Sequence, residues 1–258
     1  MGASPASPVS WRDITESLNR PYRVTIPMVV LVSLVPGYLV LAHWLPGRTL
    51  HRPEIALDRL IPLEPGWALV YGALYLFLIV LPVFVVRDET HVRRTVLAYL
   101  SVWLTAFVCF WIYPTVAPRP DRVHGEGFAA WGLRFLYEAD PPYNCFPSIH
   151  VAHSFVSALA CGRIHRRLGA FAMATAGLVA ASTLLAKQHY VLDVVAGSGL
   201  ALAAYAAFLR SAPVERVTAL DRRLAPLFAL GTLGLVAVGV GCYWVAYQLG
   251  FGMPGRLQ

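Results

Sequence analysis

Residues 67–86 read WALVYGALYLFLIVLPVFVV, twenty positions without a charged side chain, closed at once by Arg87-Asp88-Glu89. A helix of that length rises about 30 Å, the thickness of the hydrocarbon core of a bilayer. Working outward from it, apolar stretches of similar character lie near 25–45, 95–114, 148–162, 168–186, 190–209 and 225–248. The fourth is short, and the fifth and sixth are separated by very little. The expectation is an all-α polytopic integral membrane protein with seven spans.

Composition agrees. The chain has 258 residues, 57% apolar and only 14% charged, which excludes an ordinary soluble domain. The net charge of +7 reads as orientation and attraction to anionic headgroups, and no nucleic-acid partner is expected. Cys109, Cys161 and Cys242 fall inside spans and Cys145 in a loop, so neither a disulfide framework nor a metal pattern is evident. Residues 1–24 are polar, and the first span is expected to act as its own insertion signal.

With seven spans the connecting segments alternate between two faces. The face holding the N-terminus, 87–94, 163–167 and 210–224 carries thirteen basic residues, against eight on the other. By the positive-inside rule the first face is cytoplasmic, and 46–66 and 115–147 lie outside. The expected location is the cell (inner or plasma) membrane.

Three polar clusters break the apolar background: Tyr113 to Pro120, Cys145 to His153, and Lys187 to Asp193. One ends span three, one opens span four and one joins spans five and six, so all three meet the same extracytoplasmic face. Asp193 follows His189 by four residues, one helical turn, where its carboxylate can fix the imidazole tautomer and leave the other nitrogen to attack. Ionisable residues inside a span are costly and point to function. Pro147-Ser148 reads as a helix start, and a helix N-terminus with a serine hydroxyl is an anion site. His150, in the first turn, is placed to protonate a leaving oxygen, while His153 reads as a buried, hydrogen-bonded histidine. Arg119 before Pro120, and Lys187, the single lysine beside twenty arginines, supply cationic phosphate binders. Together these are the parts of a phosphoryl transfer: positioning, charge neutralisation and proton control.

Arg119-Pro120, Pro147-Ser148-x-His150 and Ser182…His189-x-x-x-Asp193 occur in the order and spacing of the type-2 phosphatidic acid phosphatase superfamily, which the sequence resembles over about residues 55–210. The resemblance implies a six-helix phosphatidic-acid-phosphatase-like core plus one additional C-terminal transmembrane helix. It implies His189 as a nucleophile forming a phosphohistidine, Asp193 as its orienter, His150 as general acid, and Arg119 and Ser148 on the phosphate, with no metal or other cofactor. Three positions depart from the family pattern: Ile112 stands for a lysine, Thr183 for an arginine and Ile149 for a glycine. The altered pattern looks more like the inositol-phosphoceramide-synthase branch, whose members transfer a phospho-headgroup to an alcohol or lipid acceptor.

The chain divides into a cytoplasmic segment 1–24, a catalytic membrane domain 25–210, and a linker with the seventh helix, 211–258. The long loop 115–147 contains an expected interfacial helix with Phe128, Trp131, Phe135 and Tyr137, ended by Asp140-Pro141-Pro142. The expected activity is hydrolysis or transfer of a phosphoryl group on a lipid phosphate, among membrane lipids, with water or an alcohol as acceptor. Two rivals stand beside it: a zinc site of His150, His153, His189 and Asp193, and a lipid transporter or scramblase whose polar residues line a pathway.

Overall fold

A computed structural model describes residues 9–18, 29, 36–38, 40 and 48–251; the expected first span, 25–45, falls largely outside them. The described helices are α1 (Trp11–Leu18), α2 (Ala56–Leu60), α3 (Trp67–Val85), α4 (Glu89–Ile112), α5 (Phe128–Ala139), α6 (Ile149–Ile164), α7 (Arg166–Leu185), α8 (Val191–Ala204) and α9 (Ala219–Gln248). A π turn, Tyr205–Leu209, prolongs α8. No strand forms among the described residues, only single bridges that tie His51 to Thr115 and Val116 to Tyr143.

Among the described residues five helices are long and apolar enough to cross a membrane: α3, α4, α7, α8 with its π turn, and α9. Their outward residues are apolar too. Leu104, Val108, Leu202, Leu230 and Val238 are each more than half exposed. Apolar surface on that scale suits lipid and not water, and the chain is a membrane protein.

The fourth expected span, 148–162, is short in the structure too. As α6 it has sixteen residues, about 24 Å of rise, short of a full crossing. Most of it is buried, including His153, Ser154 and Ser157, because α3, α4, α7 and α8 surround it. Its polar side chains therefore meet protein rather than lipid. Ser154 and Ser157 donate to the carbonyls of His150 and His153, each at 2.8 Å, and Ser157 shares a hydrogen bond with Tyr99.

A single residue, His165, closes α6 and opens α7: its N–H donates to Cys161 O, and its Nδ1 accepts from Leu168 N at 3.1 Å. The hairpin is tight because Gly162 faces Gly169, where an added Cβ would lie 2.3 Å from the opposing Cα. The chain thus runs from one end of the bundle to the other in α6 and back in α7. The starts of α3, α6 and α8 lie at one end. The turn between α6 and α7, the start of α4 and the start of α9 lie at the other, joined there by an Arg87–Asp221 ion pair at 3.1 Å. The far end of α9 returns to α5, where Tyr243, Trp244 and Tyr247 pack on Phe128, Trp131 and Phe135. The aromatic face expected on 128–137 is spent largely on this seal.

Candidate active site

The N-terminus of α6 is held from three sides. Thr115 Oγ1 accepts from Cys145 N and Phe146 N at 2.9 and 3.1 Å, pinning the incoming strand of chain. Ser148 caps the helix, its Oγ accepting from Val151 N at 3.3 Å, and it is fully buried. Its own N–H donates to the Asp193 carbonyl at 3.1 Å. That bond needs α8 to approach closely, and Gly197 permits it: a Cβ there would meet the Ser148 carbonyl oxygen at 2.5 Å. One glycine thus brings the second and third polar clusters together.

The turn from α7 into α8 is shaped by Thr183, whose carbonyl accepts from Gln188 N at 2.9 Å and His189 N at 3.3 Å. Lys187 bends the chain through a left-handed φ of 52°, a conformation a non-glycine residue adopts at some cost in energy. Its ammonium donates to the carbonyls of Asp58 and Ile61 at 3.2 and 2.6 Å. The Asp58 carboxylate in turn accepts from Val191 N, in the first turn of α8, at 2.8 Å. Lys187 and Asp58 form a clamp between α2 and the turn. The ammonium expected on phosphate is engaged with the backbone instead.

The clamp presents His189. Its Nδ1 lies 3.3 Å from Asp193 Oδ2, and its Nε2 lies 3.3 Å from His150 Nδ1. Asp193 is fully buried and also accepts from Tyr190 N at 2.8 Å. A carboxylate facing Nδ1 favours a proton there, which leaves the Nε2 lone pair toward His150. The His150 ring sits edge-on among Tyr71 and Tyr75, with centroids 5.3 and 4.7 Å away. His153, one turn deeper, is buried with Nδ1 3.4 Å from Tyr75 Oη, as a hydrogen-bonded core histidine.

Arg119 joins this group through Gln188, which sequence reasoning left without a role, and Tyr137, which it placed only on the interfacial helix. Its Nη2 donates a short hydrogen bond to Gln188 Oε1, and Nη1 donates to the Tyr137 carbonyl at 3.0 Å. The guanidinium stacks 4.6 Å from the centre of the Tyr137 ring, whose hydroxyl donates to Ala186 O at 2.8 Å. Burial pushes the Tyr137 phenol up to about 12, against the opposing pull of Arg119. Gln188 stood beside His189 in the quoted cluster, but a neutral side chain gave no electrostatic signal to single it out.

Cys145 was also missed as part of the site. Its thiol, His189 and Asp193 present ligand-type atoms all within 4.8 Å of one another. Burial pushes that thiol well above its usual range, with Asp193 and Asp140 adding to the shift and Arg119 opposing it. His189 Nδ1 and Asp193 Oδ2 already face each other at 3.3 Å, so the trio reads as a hydrogen-bonded group. The rival set of four fares no better, because His153 turns to Tyr75, Tyr99 and Trp103.

Several buried polar atoms here have no hydrogen-bond partner among the described residues: Arg119 Nε, Gln188 Nε2 and Asp193 Oδ1. Such atoms are nearly always paired in folded proteins. Two of these three are N–H donors next to a histidine nucleophile candidate, the arrangement that an anion completes. The departures from the family pattern are legible as well. Ile112 lies exposed at the end of α4, Ile149 packs with Trp103, Ala106 and Phe110, and buried Thr183 donates to Ala180 O.

Comparison with known proteins supplies one match. The family model described as PAP2 superfamily matches residues 61–207, more than half of the chain and all of the site except the Asp58 side of the clamp. No curated protein and no solved structure matches.

Proposed function

Because the chain belongs to the PAP2 superfamily, and is with it a phosphatase-type membrane enzyme, we propose that it removes or transfers the phosphoryl group of a lipid phosphate through a phosphohistidine on His189. His189 Nε2 attacks phosphorus while Asp193 holds the Nδ1 proton. The bond from phosphorus to the lipid oxygen breaks, and His150, entering as the imidazolium, gives that oxygen its proton. Water then attacks the phosphohistidine, His150 takes the proton from that water, and the N–P bond breaks to free inorganic phosphate. Arg119 and Gln188, with the N-terminus and hydroxyl of Ser148, hold the phosphoryl oxygens. Lys187 braces the turn.

The observation that carries this reading is the line Asp193–His189–His150, with 3.3 Å at each step, beside unpaired N–H groups of Arg119 and Gln188. The charge asymmetry of the loops supports an extracytoplasmic site in the cell membrane. Across a phosphoryl group the nucleophile and acid stand about 6 Å apart, from an attack distance of about 3 Å and one hydrogen bond. Substrate entry therefore turns the His150 ring aside. A complex with orthovanadate in which the rings stay in contact contradicts that step.

The decisive test is purified protein in detergent with a ³²P-labelled lipid phosphate. Wild type should yield acid-labile protein-bound phosphate and turnover, and His189→Ala should yield neither. Turnover of the His189→Ala protein at the wild-type rate ends the proposal, and wild-type protein without either signal moves the balance to a transporter or scramblase. The departures at Ile112 and Thr183 favour a second acceptor: adding inositol or another alcohol should then divert labelled phosphoryl groups from water to the alcohol.

A further inference from the structure

The end of the bundle remote from His189 holds a cavity of about 640 Å³ at the turn between α6 and α7. Its walls include Arg163, His165, Arg166 and Arg222, with Tyr205 from the π turn, and no carboxylate. The size is that of a small-molecule site. The rest of the wall is apolar, from small residues of the α6–α7 hairpin and Met173.

Its charges are unusual for this part of the molecule. Of the arginines nearby, Arg87 pairs with Asp221 and Arg93 with Glu89, while Arg94 and Arg216 donate to the hydroxyls of Ser211 and Thr90. Arg163, Arg166 and Arg222 form no ion pair among the described residues. Arg163 and Arg222 donate only to backbone carbonyls, of Ala212 at 2.5 Å and Val214 at 3.2 Å, and Arg163 Nε is buried without a partner. Helix α7 moreover begins with Arg166 and Arg167 and has no acid in its first turn. Positive side chains at the positive end of a helix dipole repel it. No carboxylate among the described residues pairs with them. His165 adds a donor, since its Nδ1 is occupied accepting from Leu168 N, which leaves the proton of the neutral ring on Nε2.

We infer that this cavity binds the phosphate headgroup of an anionic phospholipid from the leaflet opposite the catalytic residues. Arg163, Arg166 and Arg222 take the phosphate oxygens, the first turn of α7 supplies N–H groups, and the acyl chains leave along the apolar walls toward lipid. The site is independent of the chemistry at His189. A free phosphate offers the same oxygens, so the test separates the two sources.

The test is native mass spectrometry of the full-length protein released from mixed phosphatidylglycerol and phosphatidylcholine micelles. Wild type should keep one phosphatidylglycerol in preference to phosphatidylcholine, and excess inorganic phosphate should not displace it. Arg166→Gln, an exposed substitution that breaks no contact, should lower retention several-fold, and Arg166→Gln with Arg222→Gln about tenfold or more. His189→Ala should retain the lipid like wild type, which separates failure here from failure of the catalytic reading. Equal retention of the two lipids, unchanged retention in the double variant, or ready displacement by inorganic phosphate overturns the inference.

Discussion

The two ends of the bundle handle arginine in opposite ways. At the end that holds His189, Arg119 is fixed by Gln188, the Tyr137 carbonyl and the Tyr137 ring, with its buried Nε–H unpartnered among the described residues. At the remote end Arg163, Arg166 and Arg222 line an open cavity with no carboxylate to hold them. A guanidinium held in one orientation suits one geometry of a reacting group, as the proposed catalysis needs. A loose group of cations suits any phosphate headgroup, as lipid retention needs. The membrane makes both arrangements affordable only where protein or headgroups surround the charge.

That contrast can be broken at several points. The largest effect belongs to His189→Ala, which should reduce turnover by at least about 10⁴-fold while leaving lipid retention at the remote end intact. Asp193→Asn comes next. It keeps the shape but offers an amide where the imidazole needs an acceptor, and should cost about 10³- to 10⁴-fold in kcat with little change in KM. If its kcat stays near wild type, Asp193 is structural only.

The glycines separate the two ends by stability. Gly197→Ala and Gly169→Ala each drive a methyl group into backbone, at 2.5 and 2.3 Å, and each should destabilise by about 1–3 kcal/mol. Only Gly197→Ala should also cut kcat/KM, because it displaces Ser148 from Asp193. Gly177→Ala, with open space around it, serves as the control in thermal unfolding assays. The smallest effects sharpen the division of labour around phosphate. Gln188→Ala should raise KM about tenfold through loss of one hydrogen bond and release of Arg119. Lys187→Met should lower the unfolding temperature with little change in KM; a large rise in KM would restore it as a phosphate ligand.

Much of the catalytic end was legible in the chain. The four-residue interval from His189 to Asp193 implies one helical face, and the two side chains meet there. Ser148 was recognisable as a cap, since its chemistry acts on its own next turn. Gln188, Tyr137 and Cys145 were not legible as site residues. Each works through a partner far away in sequence, and none carries a charge at neutral pH to announce it. Lys187 misled for the opposite reason: its charge was visible, but the carbonyls of Asp58 and Ile61 that take it up lie more than a hundred positions earlier. The fourth span was legible as short, and α6 is short; that other helices enclose it was not legible.

What the sequence alone determined is the membrane class, the helices and the local pairings, because apolar length and a 3.6-residue period act between near neighbours. Which arginine meets which turn, which glycine lets α8 onto Ser148, and which cations are left without a counter-charge were decided only by tertiary packing. Those contacts join segments dozens of residues apart, and their energies depend on distances of a few ångströms that no local pattern encodes.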